Sequence, residues 1–249
     1  AADGSLYAGT YYQAGSLGKV FKSTDGGVTW ADTGALAGAQ RVYCLLEAGA
    51  AIYAGTAPNG DVFKSTDGGV TWNNTGNLAG ATGVYSLLLA ADGSLYAGTS
   101  LNGDVFKSTD GGTTWNNTGN LAGATFVYSL LQTAAGTLYA GTAPSGDVFK
   151  STDSGVTWNN TGNLAGATVV DALCEASDGT LYAGTGTNGD VFKSTNSGTT
   201  WTNTANLPNQ HYVSSIIEAT NGFIYVTTKP TGSFNGSVFF TNNCGVTWT

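Results

Sequence analysis

The chain has 249 residues, with eight basic against sixteen acidic side chains, a formal charge of −8 and a single arginine, Arg41. Such a chain repels phosphate backbones and has no basic cluster to offset that, which argues against a nucleic-acid partner. No apolar run approaches the ~20 residues of a membrane span, and His211 is the only histidine, with Cys44, Cys174 and Cys244 far apart in sequence, so we expect no membrane insertion, no metal and no cofactor.

The first residues, Ala1-Ala2-Asp3-Gly4-Ser5-Leu6-Tyr7, match Ala90-Ala91-Asp92-Gly93-Ser94-Leu95-Tyr96 further on. They read as a hairpin turn leading into a strand. Next comes the phrase Ser23-Thr24-Asp25-Gly26-Gly27-Val28-Thr29-Trp30, whose pattern returns to end at Trp72, Trp115, Trp158, Trp201 and Trp248. The steps between these tryptophans are 42, 43, 43, 43 and 47 residues, a period typical of stacked or radially arranged supersecondary units.

One unit reads as four short antiparallel strands. Val84–Leu89 is an apolar strand, Asp92-Gly93 a tight turn, Ser94–Thr99 a second strand and Asp104–Ser108 a third. The Asp110-Gly111-Gly112 turn then leads into Thr113–Asn117. Helical periodicity is absent, and the pattern is that of a propeller blade. The expected fold is one all-β domain over 1–249, a six-bladed β-propeller with blades at 1–34, 35–76, 77–119, 120–162, 163–205 and 206–249. First strands are expected at 42–47, 84–89, 127–132, 170–175 and 213–218. Six fourth strands are expected against these five, so blade 1 lacks its innermost strand, an edge that another segment or a neighbouring subunit is expected to fill. The chain has no methionine and no signal-peptide h-region, and reads as a processed or excised piece.

The repeated phrase Ser-Thr-Asp-Gly-Gly-Val-Thr-Trp resembles the Asp-box, or bacterial neuraminidase repeat, of sialidase-like β-propellers. The resemblance covers essentially the whole chain. Its box residues here are Asp25 and Trp30, Asp67 and Trp72, Asp110 and Trp115, Asp153 and Trp158, Asn196 and Trp201, and Asn243 and Trp248. Asn196 and Asn243 depart from the aspartate, but an amide oxygen still accepts from turn N–H groups, so the turn should survive. The resemblance implies that the box is a structural hairpin on the face away from any ligand site. It also implies that a sialidase would need three arginines, which this chain does not have. Related xyloglucanase-like propellers use two aspartates across a cleft.

The tryptophans are expected to wedge between blades. The tyrosine column (Tyr7, Tyr53, Tyr96, Tyr139, Tyr182, Tyr225) and the phenylalanine column (Phe21, Phe63, Phe106, Phe149, Phe192, Phe239) are expected in the core. Most acidic residues belong to the repeat; Asp32, Glu47, Asp171, Glu175 and Glu218 are left over, and a hydrolase would have to draw its carboxylate pair from these. Asn73-Asn74-Thr75, Asn116-Asn117-Thr118, Asn159-Asn160-Thr161 and Asn235-Gly236-Ser237 match a glycosylation acceptor pattern.

Positions that differ between near-identical repeats are free of the common packing role. Two columns at the start of the first strands read Gln40, Thr82, Thr125, Thr168, His211 and Arg41, Gly83, Phe126, Val169, Tyr212. A third, one residue past an invariant valine, reads Tyr43, Tyr85, Tyr128, Asp171, Ser214. With the Tyr11-Tyr12 loop, these place Tyr11, Tyr12, Arg41, Phe126, Asp171, His211 and Tyr212 on one expected face, opposite the boxes. Tyrosine faces stack on sugars, and Arg41 and Asp171 offer partners for hydroxyls. The expected function is an extracellular or cell-surface, non-catalytic binding or scaffold propeller that recognises glycan or a protein partner through this face. Two alternatives stay open: a glycoside hydrolase, and a structural subunit that uses its open blade.

Overall fold

The computed structural model describes residues 1–11, 17–186, 189–207, 212–229 and 236–249. Tyr12 and His211 lie outside the described residues. Two compact units divide the chain, Ala1–Thr118 and Gly119–Thr249. All regular structure among the described residues is β.

In the first unit, β1 (Leu6–Gly9), β2 (Lys19–Ser23) and β3 (Ala31–Ala35) form a three-stranded sheet. Two four-stranded sheets follow, β4 (Arg41–Ala48), β5 (Ala51–Ala57), β6 (Asp61–Ser65) and β7 (Asn73–Asn77), then β8 (Val84–Leu89), β9 (Leu95–Thr99), β10 (Asp104–Ser108) and β11 (Asn116–Asn120). The second unit repeats this with β12 (Phe126–Gln132), β13 (Leu138–Ala143), β14 (Asp147–Ser151) and β15 (Asn159–Asn163). Then come β16 (Val170–Glu175), β17 (Leu181–Thr185), β18 (Asp190–Ser194) and β19 (Thr202–Asn206), and finally β20 (Val213–Glu218), β21 (Ile224–Thr228) and β22 (Val238–Thr241). Strand order follows chain order within each sheet, and the paired strands run antiparallel. Among the described residues no strand pairs with the free edge of β1, which is consistent with the repeat alignment. The sixth sheet corrects that reading, because it too has three strands. Its expected fourth strand is reduced to one pair of hydrogen bonds between Phe240 and Thr249.

Neighbouring sheets within each unit lock through a glycine and a valine. A Cβ added to Gly9 would stand 2.6 Å from Cγ1 of Val42, and one on Gly55 or Gly141 would stand 2.7 Å from Cγ1 of Val84 or Val170. Glycine interrupts the second strand because the next sheet's invariant valine occupies the space of its side chain. Those valines are buried, and Val84, Val170 and Val213 are fully so.

The tyrosine and phenylalanine columns are core in the four-stranded sheets, with Tyr96, Tyr139 and Tyr182 each 1% exposed. Three of the column tyrosines show how the hydroxyl is satisfied. Tyr7 donates to the carbonyl of Gly68 (2.9 Å), Tyr53 to Gly111 (2.8 Å) and Tyr139 to Ser197 (2.8 Å), each in the tryptophan-ended turn of the following sheet. The lysine paired with each tyrosine reaches the same carbonyl: Lys22 (3.2 Å), Lys64 (2.8 Å) and Lys150 (3.0 Å). Lys193 does the same to Cys244 (3.1 Å). These ammonium groups also lie 5.4–5.8 Å from the ring centroids of Tyr7, Tyr53 and Tyr139, within cation–π range.

Each turn is tied by its own polar side chains. In the second sheet Ser65 Oγ donates to Asp67 (2.8 Å) and accepts from the Gly69 N–H (2.8 Å). Asp67 also accepts from the Thr71 N–H (2.9 Å) and hydroxyl (2.6 Å). These donors hold the carboxyls of Asp25, Asp67, Asp110 and Asp153 at a pKa of about 2, the threonine hydroxyl contributing most. Where asparagine replaces aspartate the turn persists. Asn196 and Asn243 accept from the N–H of Thr200 (2.9 Å) and Thr247 (3.0 Å), while their amide N–H₂ groups donate to the hydroxyls.

The tryptophans mostly pack as expected. Trp72, Trp115, Trp201 and Trp248 lie against core clusters, and Trp72 and Trp248 donate to Thr33 (3.3 Å) and Thr204 (3.4 Å) of the preceding sheet. Trp30 is the exception: it is 43% exposed, and its indole N–H turns back to the Gly27 carbonyl (3.1 Å).

Candidate functional site

The innermost strands share a defect that positions the site. In β4, β8, β12, β16 and β20 the pairing with the second strand slips by one residue immediately after the invariant valine. The extra residue is Tyr43, Tyr85, Tyr128, Asp171 or Ser214. A bulge releases one residue from the ladder and re-aims its side chain, which is why bulges gather at sheet edges and functional sites. The column where the repeats diverge in sequence is thus the column that the backbone frees from the common packing.

In the first unit the freed residues form an aromatic cluster. Tyr43 and Tyr85 stack at 4.2 Å between ring centroids and 19° between planes. Tyr11, 69% exposed, meets the edge of Tyr43 at 6.0 Å and 62°. The Arg41 guanidinium lies 5.1 Å from the Tyr11 ring centroid, and its Nη1 donates to the Tyr43 hydroxyl at 3.1 Å. Arg41 is therefore pinned by one tyrosine beneath another that is open to solvent.

In the second unit Phe126 and Tyr128 stack at 5.4 Å and 15°. Asp171 takes the tyrosine's place in β16. Its side chain is 7% exposed, and Oδ1 receives the ammonium of Lys229 (3.4 Å), itself 55% exposed. Oδ2 is buried without a hydrogen-bond partner. Burial pushes the Asp171 pKa above the ordinary carboxylate range, and Lys229 pulls part of that back. Tyr212 pairs with Gly186 in an isolated bridge, and its ring occupies the space a Gly186 side chain would need.

Arg41 and Phe126 were expected in the loops that enter the first strands. They are strand residues, paired with Ala57 and Ala143. In these two sheets the second strand runs on to an alanine, which extends the ladder by one pair. Among the described residues the sequence-predicted set falls into two groups, Tyr11 with Arg41 in the first unit, and Phe126, Asp171 and Tyr212 in the second. Sequence reasoning missed Lys229 and did not promote Tyr43, Tyr85 and Tyr128. The available signal was their column, which changes from tyrosine to Asp171 and Ser214 in the last two repeats.

The leftover carboxylates other than Asp171 have partners in the fold. Asp32 pairs with Lys19 at 2.5 Å. Glu47 accepts from the Ala2 N–H, Glu175 from that of Ala134 and Glu218 from that of Ser177, each at 2.7 Å. Glu175 and Glu218 end β16 and β20, Glu47 lies one residue before the end of β4, and each caps a turn of the preceding sheet. The same geometry explains their spacing in sequence. Asp171 alone is left without a role in the repeat. The cysteines are free thiols, and burial pushes Cys44 up to about 12, leaving it no thiolate at neutral pH.

Repeated four-stranded antiparallel sheets locked face to face within each unit define a β-propeller domain. The family model described as the DUF6242 beta propeller domain matches twice, over residues 2–126 and 116–249, and the chain belongs to this family. No curated protein matches it. Among solved structures, it is similar to a chain of the nidogen/laminin complex, with 11% identity, a TM-score of 0.70, and 98% of this chain covered against 92% of that one. It is also similar to the extracellular domain of the one-component system BT4673 from B. thetaiotaomicron, with 15% identity, a TM-score of 0.66 and 93% of this chain covered. A third is PorZ, a surface component of the type-IX secretion system of Porphyromonas gingivalis, with 16% identity, a TM-score of 0.66 and 98% of this chain covered. The chain spans 32% of the BT4673 chain and 40% of the PorZ chain. At these identities the likeness is one of fold. No helix among the described residues is long and apolar enough to cross a membrane.

Proposed function

We propose that the chain is a six-bladed propeller of the Asp-box type, acting outside the cell as a non-catalytic binding or scaffold module. Its ligand, a glycan or a partner protein, meets the residues that the innermost-strand bulges release. One observation carries this reading: the backbone frees the same position in five sheets, and that position is where the repeats differ. Tyrosine and arginine are the residue types that concentrate binding energy at recognition surfaces, and the Tyr11–Arg41–Tyr43–Tyr85 cluster assembles them in one unit. Similarity to extracellular and surface-component propellers supports the location. Glycoside hydrolysis needs two carboxylates at a set separation, and the engagement of Glu47, Glu175 and Glu218 in hairpin capping disfavours it.

The test is a binding and product-release screen against polysaccharides and candidate protein partners, with Arg41→Ala and Tyr43→Ala beside the parent chain. Binding that both substitutions weaken at least tenfold, without released sugar, supports the reading. Released reducing ends would replace it with hydrolysis.

The cleft beside β1 favours a second reading, in which the chain is a structural subunit. Leu6 and Tyr7 of β1, with Leu45, Leu46 and Ile52 of the next sheet, line a cavity of about 180 Å³ along an edge with no strand paired to it. A strand added there would complete the blade. Concentration-dependent oligomerisation that Leu6→Lys abolishes is the outcome this reading requires.

A further inference from the structure

The free edge of β1 leaves exposed what the matching strands bury. Leu6 is 43% exposed, whereas its counterparts Leu95, Leu138 and Leu181 are 1–2% exposed. Ala8 is half-buried where Ala54, Ala97, Ala140 and Ala183 are fully buried. Backbone groups point to alternate sides along a strand. Ser5 accepts on this edge from the Ala1 ammonium (2.6 Å), as Ser94 accepts from the Ala90 N–H (2.8 Å). Two and four residues on, Tyr7 and Gly9 therefore turn their N–H and C=O groups to the same edge, a template for a further strand.

Five sheets of the same chain show which strand such an edge takes. Opposite the column tyrosine stands Leu46, Leu88, Leu131, Cys174 or Ile217. Opposite the next residue stands Leu45, Leu87, Leu130, Leu173 or Ile216. Opposite the glycine stands a small residue, Cys44, Ser86, Ser129 or Ala172. Cys44 and Ser129 fill the space that a side chain on Gly55 or Gly141 would need. A leucine opposite Tyr7 would enter the cavity of about 180 Å³ lined by Leu6, Tyr7, Leu45, Leu46 and Ile52. Leu46 already fills the matching place opposite Tyr53, against the buried cluster that includes Leu95 of the third sheet. The β1 of a second copy, Leu-Tyr-Ala-Gly, has no leucine pair to offer.

We infer that the edge of β1 is an acceptor for an extended segment of a partner protein with the pattern valine, any residue, small residue, leucine, leucine. The segment runs antiparallel to β1, with its small residue on Gly9 and its leucines on Ala8 and Tyr7. This rests on the structural-subunit reading above and deepens it by stating the chemistry of the donor.

The probe is the synthetic peptide Phe-Val-Tyr-Ser-Leu-Leu-Gln, the sequence of residues 126–132, titrated into the full chain by calorimetry. One analogue carries an N-methyl group on the second leucine, whose N–H would bond β1 at Tyr7. Another carries it on the first leucine, whose N–H points away from β1, and a third has lysine in both leucine places. The parent peptide is expected to bind. Methylation at the second leucine should weaken it about tenfold or more, the worth of a lost ladder hydrogen bond, and methylation at the first should leave it nearly unchanged. The lysine analogue should not bind. Leu6→Lys should weaken the parent peptide too, with near-ultraviolet circular dichroism checking its packing; the peptide series decides even where that variant fails to fold. Equal binding of the lysine analogue, or indifference to methylation at the second leucine, would overturn the inference. No peptide binding, with concentration-dependent oligomers that Leu6→Lys abolishes, would overturn the donor pattern and leave the subunit reading standing. A chain that binds no peptide and stays monomeric would overturn both.

Discussion

The tryptophan-ended turns and the innermost-strand bulges repeat with the same period, yet they treat sequence in opposite ways. At the turns the same hydrogen bonds recur from sheet to sheet: serine or threonine to aspartate or asparagine, glycine N–H to the hydroxyl, threonine N–H to the side-chain oxygen. The neighbouring sheet's tyrosine and lysine then close on the turn's carbonyl. The hydroxyl and side-chain oxygen that make these bonds vary only between Ser and Thr and between Asp and Asn, while positions without such a bond, such as exposed Val28 and its counterpart Thr113, vary more freely. At the bulges the backbone has left the ladder, so a tyrosine, an aspartate or a serine fits equally. The hydrogen bonds that hold the turns lie where the units agree, and the residues proposed for binding lie where they differ.

The sharpest way to break this contrast is to remove a side chain that joins a turn to the core. Tyr53 is 3% exposed, packs in a buried cluster and donates to the Gly111 carbonyl. Tyr53→Ala should cost about 3–5 kcal/mol, the range for deleting a buried aromatic ring, read as a lowered midpoint in chemical denaturation. A loss below about 1 kcal/mol would mean that the sheets are not locked by this column.

Acid titration sharpens the contrast next. Asp25, Asp67, Asp110 and Asp153 have folded pKa values of about 2 against an ordinary 3.8. A carboxyl whose pKa is depressed by folding adds stability that is complete above its unfolded pKa and is lost as pH falls through the folded one. The parent chain should therefore lose stability between about pH 4 and pH 2. The fourfold Asp→Asn variant should show a flatter acid limb, because Asn196 and Asn243 already close the same turn without a titrating group. Thermal melts across that range check this, and parallel acid limbs for the two proteins would show that the turn carboxylates are not what acid attacks.

How much of this was legible in the sequence depended on the range of the interaction. The strands, the tight turns and the aromatic columns come from local patterns repeated in register, and repetition turns weak local signals into firm ones. The survival of the turn at Asn196 was readable for the same reason, since it needs only an oxygen two residues beyond Ser194. The lysine column was in plain view beside the phenylalanines, but its role lies in a carbonyl about 47 residues downstream. Glu47, Glu175 and Glu218 were read as an unassigned column because the N–H groups they cap belong to the preceding sheet. A bulge leaves no mark on one strand alone, because it is a difference in count between two paired strands. The divergent column therefore marked the bulge residues without their cause, and Lys229, which joins Asp171 from another sheet, stayed hidden. The sixth sheet's fourth strand was assigned by repetition from Trp248, where the ladder has a single pair.

The smallest expected effect is the most discriminating. If Asp171 served only to tie β16 to Lys229, neutralising it would weaken the fold as breaking a buried ion pair does, by about 3–5 kcal/mol. That penalty comes from stranding the partner charge out of water. Lys229 is 55% exposed and would remain hydrated, so no stranded charge results. Asp171 itself, raised above its usual pKa by burial, has the opposite linkage from the turn carboxylates. Its ionisation subtracts stability as pH rises through the folded pKa, and an amide removes that cost. Asp171→Asn should then leave the denaturation midpoint at neutral pH within about 1 kcal/mol of the parent, on the stabilising side if it moves. A loss above about 2 kcal/mol would place Asp171 with the turns, as part of what holds the sheets together.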